Sequence, residues 1–254
     1  ETFPTEGEGQ GTYELKAILP EGYALGESVS TLELEVDLGT AQQYAITPTQ
    51  PANGDGSESN PYQITSAGEL YWFAEYVNTG NSSACAKLMN DITVNENVIV
   101  NGVLNSDTSQ LIAWTPIGVR TKVFSGTFDG NNKTISGLYV SAASGYQGLI
   151  GFMESGTVKN VTVANSYFSG TTNIGAVVGC YGQTGTASIV TNCHNVNSVV
   201  IASNYYVGGV VGGQYAPATS HAQIVLSNCS NSGSVTGAQH YVGGIIGYAE
   251  YFSE

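Results

Sequence analysis

Four times between Tyr146 and Gly247 the chain runs two aliphatic residues into a glycine, with another glycine shortly before them. The copies read Tyr146-Gln147-Gly148-Leu149-Ile150-Gly151, Ile174-Gly175-Ala176-Val177-Val178-Gly179, Val207-Gly208-Gly209-Val210-Val211-Gly212 and Val242-Gly243-Gly244-Ile245-Ile246-Gly247. Their closing glycines are 28, 33 and 35 residues apart. A second phrase centres on an asparagine: Val158-Lys159-Asn160-Val161-Thr162-Val163, Val190-Thr191-Asn192-Cys193-His194-Asn195 and Leu226-Ser227-Asn228-Cys229-Ser230-Asn231. Its asparagines are 32 and 36 residues apart, so both phrases keep one beat. A period of roughly 20 to 50 residues marks a solenoid, a propeller or an array.

The residue types decide among these. The units are Val, Ile, Thr, Tyr, Gly, Ser and Asn in short runs broken by Gly and Asn, without the run of good helix formers at a 3.6 period that a helical repeat needs. They predict strands that pair in parallel, each with its copy in the next turn, at about 4.8 Å. A propeller would need about four antiparallel strands in every ~40 residues, and neither the lengths nor the turn signals supply them. The expected fold is all-β: a right-handed parallel β-helix over 49–254, its repeats over 144–254, with Val and Ile inward and Gly or Asn at the corners.

Upstream the pattern changes. Ser66-Ala67-Gly68-Glu69 has the form of a capping box, and Leu70, Phe73, Ala74 and Val77 follow at helical spacing until Thr79-Gly80. A short helix over 67–78 is expected, covering the open N-terminal end of the coil, because an uncovered rung invites association. Lys87 to Val94 and Val98 to Val103 would then start the coil, and Asp129-Gly130-Asn131-Asn132 would be a tight turn. Over residues 1–48, Tyr13, Leu15 and Ala17, then Leu32, Leu34, Val36 and Leu38, alternate with polar residues. Half-buried strands follow, too few for a core, as the tail of an Ig-like module or as strands docking on the next domain. At the other end the last repeat stops at Tyr248 to Glu254 without an asparagine phrase or a cap, and a continuation in a longer protein is expected.

Gly148-Leu149-Ile150-Gly151 followed by Gly156-Thr157-Val158-Lys159-Asn160-Val161 resembles the GLUG repeat of bacterial surface proteins, Gly-Leu-Phe-Gly and then Gly-x-Val-x-Asn-Leu. Gly54-Asp55-Gly56-Ser57 with Asn60-Pro61-Tyr62-Gln63-Ile64 resembles the segment opening such domains. So does Trp114-Thr115-Pro116-Ile117-Gly118 with Phe124-Ser125-Gly126-Thr127-Phe128-Asp129-Gly130. The likeness covers about 53–250, with Ile150 where the family usually has Phe. It implies an extracellular, adhesin-like segment on the bacterial cell surface. Some relatives of the repeat precede the protease domain of immunoglobulin A-cleaving metallopeptidases; here His194, His221 and His240 form no His-Glu-x-x-His motif.

Charge narrows the function further. The net charge is −14 with six Lys plus Arg, so nucleic acid and anionic membrane are poor partners. No apolar run is long enough to insert in a membrane. Fifteen of the twenty acids lie within residues 1–100 and none between Ser155 and Ala249. Glycan cleavage by lyases or hydrolases needs a cation with a base, or a carboxylate pair, and Asp91, Glu96, Asp107, Asp129 and Glu154 are scattered. No catalytic residue, metal ligand or cofactor is expected.

Cys193 and Cys229 share a repeat position, so they could bridge, or stand as a buried ladder of free thiols, the reading we favour. Asn160, Asn192 and Asn228 should form a structural amide ladder. Tyrosine is in surplus at sixteen residues. Tyr206 and Tyr241 precede the Val-Gly-Gly phrase, Tyr146 is one residue out of register, and Tyr181, Tyr215 and Tyr248 follow the phrase. Exposed tyrosine rows can stack on sugar rings, which makes Tyr206, Tyr241, Tyr181 and Tyr215 the candidate ligand-binding residues; alternatively they only cover the corners of the coil. Three functions stay open: a non-catalytic adhesin-like or stalk segment meeting a host or bacterial surface glycan or protein, a carbohydrate-binding module, and the non-catalytic N-terminal region of a larger secreted protease or glycan-degrading enzyme.

Overall fold

The computed structural model describes residues 46–182, 186–215 and 223–249. The chain divides into two compact units, Glu1–Gln42 and Gln43–Glu254, and the described residues belong to the second. The Ig-like fragment expected at 1–48 lies outside them but for its last three residues, as does His221.

The second unit is a parallel β-solenoid. Four ladders run along it. The first carries Tyr62–Ile64, Ala86–Leu88, Thr127–Ser136, Thr157–Ala164, Ser188–Val196 and Ile224–Ser227 in that order. The second carries Tyr139–Ser141, Tyr167–Gly170, Val199–Ala202 and Ser234–Gly237; the third, Ile174–Gly175, Val207–Gly208 and Val242–Gly243. The fourth carries Ile150–Glu154, Val178–Gly182, Val211–Gln214 and Ile246–Tyr248. From Thr127 onward the chain visits the four faces in this order four times, one complete turn per visit.

Like residues pair with like. Val158 faces Val190 and Val190 faces Leu226; Ile150 faces Val178 and Val178 faces Val211. Side chains pointing inward from the first and fourth ladders, among them Val158, Val161, Val163, Val190, Cys193, Ile150, Val178 and Val211, are buried in one core. Each turn therefore closes both the backbone and the apolar face of its neighbour, which is how a solenoid gains a core that no single repeat has.

Ahead of the full turns, a partial one is laid by residues 113–124. Ala113 bridges Tyr139, Ile117 bridges Ile150 and Phe124 bridges Met153. The buried Trp114 donates its indole N–H to Gly148 O at 3.1 Å. The helix Ala67–Asn78 buries Leu70, Phe73, Ala74 and Val77, and Phe73 meets Phe124 and Phe128 at ring distances of 6.4 and 6.2 Å. Ser66 Oγ accepts from Glu69 N at 3.3 Å, as a cap should. The Glu69 carboxylate instead accepts from the backbone N–H and hydroxyl of Thr65, one residue before the expected partner. No helix among the described residues is long and apolar enough to cross a membrane.

Two local expectations are corrected. Asp129 to Asn132 is not a turn between separate strands: both flanks stay in the first ladder, Asp129 facing Lys159 and Lys133 facing Val161, with a register shift between them. Ile99–Val100 and Val103–Leu104 do not join the coil but form an antiparallel hairpin. Asn101 and Gly102 turn it with φ of 52° and 81°, the left-handed pair that a tight hairpin needs.

All four cysteines are free thiols. The hydrogen bond between the Cys193 and Cys229 thiols pushes the Cys193 pKa up and lowers that of Cys229 to about 7. Cys180 is wholly buried and its pKa is raised well above the ordinary thiol value, chiefly by burial.

Candidate functional site

The corners of the coil are where side chains become available, and two of them differ in kind. Between the halves of the first ladder, Asn160, Asn192 and Asn228 turn the backbone with φ of 55°, 51° and 48°. Asn228 Nδ2 donates to Asn192 Oδ1 at 2.8 Å, Asn192 Nδ2 to Asn160 Oδ1 at 3.1 Å and Asn160 Nδ2 to Asp129 Oδ1 at 3.0 Å. This is the expected amide ladder, and it ends on a carboxylate. Asn197 to Asn165 at 2.7 Å and Asn195 to Asn231 at 2.8 Å add two further amide pairs.

The corner that opens the third ladder is built otherwise. Gln147 bridges Ile174, Ile174 pairs with Val207 and Val207 with Val242. The residues immediately before them, Tyr146, Asn173, Tyr206 and Tyr241, therefore occupy one row, with φ of 65°, 56°, 63° and 66°. Tyr146 belongs to this row after all. Ile150 pairs with Val178, so three steps separate Gln147 from Ile150 where four separate Ile174 from Val178; one missing residue hides the register in the sequence.

A tyrosine at positive φ is rare, since its Cβ crowds the following carbonyl, and each instance costs on the order of 1–3 kcal/mol. Ring stacking returns about 0.5–1.5 kcal/mol where a partner exists. Tyr206 stacks on Tyr241 at 5.0 Å and 25°, and Tyr248 lies 4.9 Å from each. Tyr205 stacks on His240 at 6.0 Å. Tyr146 has no ring in the adjacent turn of its row, because Asn173 stands there; it meets Phe152 edge-on at 5.4 Å.

Where Asn173 interrupts the row, a cleft of about 330 Å³ opens. Tyr146, Thr172, Asn173, Tyr206, Gln214, Tyr215 and Tyr248 line it. Asn173 and Gln214 lie deep in it, 4% and 5% exposed. Thr172 Oγ1 donates to Tyr205 O at 3.0 Å and lies 3.2 Å from Asn173 Oδ1, while Asn173 Nδ2 points to Gln214 O at 3.5 Å. The Arg120 guanidinium sits 4.5 Å over the Tyr215 ring and donates to Tyr215 Oη. Burial, with neighbouring tyrosines adding to it, raises the Tyr206 pKa; burial likewise raises that of Tyr146 despite the opposing charge of Arg120. Both phenols are neutral donors at ordinary pH.

With that geometry in place, comparison with known proteins adds length and likeness. No family model matches the chain. Halomucin from Haloquadratum walsbyi is 28% identical over 275 residues, which cover 97% of this chain and 3% of halomucin. A protein from Evansella cellulosilytica, described as a candidate Gly-rich membrane protein, is 29% identical over 120 residues, 46% of this chain and 12% of its own length. The chain thus spans a small part of either relative. Among solved structures, one described as a candidate immunoglobulin A1 protease from Bacteroides ovatus superposes with a TM-score of 0.47 and 19% identity, over 80% of this chain and 65% of its own.

The four candidate tyrosines separate. Tyr206 and Tyr215 line the cleft, and Tyr241 backs Tyr206 with its ring half in solvent. Tyr181 is a correction: it is fully buried, paired with Met153, and its hydroxyl points to Gln214 Oε1 at 3.5 Å, so it faces no ligand. Nor do Tyr181, Tyr215 and Tyr248 form a row. Tyr181 pairs with Gln214 and Tyr248 with Gly213, which puts Tyr215 one step past Tyr181 and two past Tyr248. The lining residues missed were Tyr146, Thr172, Asn173, Gln214 and Tyr248. For Asn173 the signal was present, as the single polar exception in a row of tyrosines once the row is aligned by structure. Among the described residues no three His, Cys, Asp or Glu side chains gather to hold a metal.

Proposed function

We propose that this chain is a GLUG-type repeat segment of a long cell-surface protein, serving as a non-catalytic, adhesin-like stalk that presents one face to an extracellular glycan or protein. The observation that carries the reading is the continuation of each ladder from turn to turn. Every ladder from Thr127 onward continues strand by strand, so further turns extend the stalk without a new core. The matched stretches make up 3% of one relative and 12% of the other, and one carries the name of a membrane protein, which supports a segment in a large surface molecule. The absence of carboxylates from Ser155 to Ala249 supports a non-catalytic role, since general acid and base chemistry on a glycan needs them.

The test is accessibility on cells. Antibodies raised against the purified chain should label intact cells that make the parent protein, and external protease should remove the label. Labelling that appears only after permeabilisation overturns the surface reading. Turnover of glycan or peptide substrates by the purified chain overturns the non-catalytic one.

A further inference from the structure

We infer that the notch in the tyrosine row is a subsite for one neutral pyranose ring of a glycan, held between Tyr146 and Tyr206 with the Asn173 amide at its floor. The inference rests on the surface reading above and deepens it. Three of the four residues in this row are tyrosines held at left-handed φ, where asparagine serves at every other non-glycine left-handed position among the described residues except Ser155. The residue that departs from the row is Asn173, and its small side chain leaves the two flanking tyrosines separated by two strand spacings, roughly 9.6 Å between backbones. That gap takes one ring between two aromatic faces.

The chemistry of the walls selects the ligand. A pyranose offers C–H faces to aromatic rings and hydroxyls to amides, and at about 330 Å³ the cleft is at the small end of ligand pockets. Tyr146, Tyr206, Tyr215 and Tyr248 supply rings, while Asn173, Gln214 and Thr172 supply amides and a hydroxyl. None of the lining residues is charged. The Arg120 guanidinium is laid over Tyr215, and no lining residue offers a cation to a polyanion.

Two substitutions test the notch without disturbing the coil. Asn173→Tyr completes the row at a φ that tyrosine already adopts in the other three turns, and fills the gap. Tyr206→Asn removes one wall and places there the residue that suits left-handed backbone. The full 254-residue chain and both variants are titrated by calorimetry with fragments of xyloglucan, galactomannan and β-1,3-glucan, and with oligogalacturonate as the anionic arm. We expect saturable binding of a neutral fragment, weakened at least tenfold in each variant, with thermal melts close to that of the unmodified chain and no uptake of oligogalacturonate. Three results overturn the subsite: no neutral fragment binds, Asn173→Tyr binds as well as the unmodified chain, or oligogalacturonate binds more tightly than any neutral fragment. Surface labelling is unaffected by any of these outcomes, so the subsite and the stalk fail separately.

Discussion

At the asparagine corner and at the tyrosine corner the backbone turns in the same way, with φ of 48° to 55° in one and 56° to 66° in the other. The side chains answer differently. Asn160, Asn192 and Asn228 suit the left-handed region and use their amides to tie one turn to the next. Tyr146, Tyr206 and Tyr241 strain it, and only two of the three recover energy by stacking on each other. One corner is built as the fold would build it for its own stability. The other carries a stability cost that the fold does not require, because Asn173 shows that an amide fits the same place.

The largest expected effect comes from what makes the strained corner fit at all. Three of the four closing glycines, Gly179, Gly212 and Gly247, lie against the corner backbone of the turn before: a Cβ added at Gly212 would stand 2.5 Å from Ile174 N and 2.6 Å from Asn173 C, and one at Gly179 would stand 2.7 Å from Gln147 N. The repeated glycine is thus a steric requirement for bringing the third and fourth faces together. Gly212→Ala should destabilise by about 3 kcal/mol, the upper end for overpacking a well-filled interior, read as a fall in the urea midpoint. A midpoint close to that of the unmodified chain would mean that the two faces can part.

Next is a direct exchange between corners. Asn192→Ala removes the two ladder bonds, given to Asn160 and received from Asn228, at about 1 kcal/mol each, together with the contacts to Asn132 and His194, and leaves alanine at φ 51°, which adds roughly 1 kcal/mol. A loss of about 2–3 kcal/mol is expected. Tyr206→Asn should stay within about 1 kcal/mol of the unmodified chain, because relief of strain offsets the lost stacking on Tyr241. Equal losses for the two variants, measured in the same urea titrations, would make the tyrosine row structural and erase the contrast.

How far this was legible in the sequence follows from what each feature depends on. The period, the strands, the amide ladder and the helix with its buried Leu70, Phe73, Ala74 and Val77 are set by local pattern, and pattern is visible in a string. The Ile99–Leu104 hairpin was visible too, in Asn101-Gly102, but the expectation of a continuing coil overrode it. Register was a different matter. A single residue missing between Gln147 and Ile150 moved Tyr146 out of its row on paper, and spacing after the closing glycine made Tyr181, Tyr215 and Tyr248 look equivalent. Only the strand pairing shows that Tyr181 points inward and that Asn173 sits between two tyrosines. The candidate site is made of turn-to-turn neighbours about 30 residues apart, and a one-residue slip suffices to hide it.

The smallest effect is a difference in acid response. Burial opposes ionisation of Asp129, yet the Asn160 amide, the Asn131 N–H and the charges of Lys159 and Lys87 outweigh it, so its carboxyl titrates below the ordinary value. Asn131 N donates at 2.8 Å, and Lys159 Nζ lies 3.6 Å from the carboxylate. A folded pKa below the unfolded one gives stability that is present above about 3.9, the unfolded value, and is lost as pH falls through the lower folded value. Solvent reaches this carboxylate, so the contribution should be under about 1 kcal/mol. Between pH 7 and pH 3 the urea midpoint of the unmodified chain should fall slightly more than that of Asp129→Asn, whose amide oxygen still accepts from Asn160 and Asn131. At the tyrosine corner burial raises both Tyr146 and Tyr206 above the ordinary phenol range, so these two walls of the cleft stay neutral throughout this window. Acid should therefore loosen the end of the amide ladder while leaving the cleft unchanged, and a neutral oligosaccharide should bind equally well at pH 4 and pH 7. A binding constant that follows the Asp129 titration would show that the two corners are coupled through the turns they share.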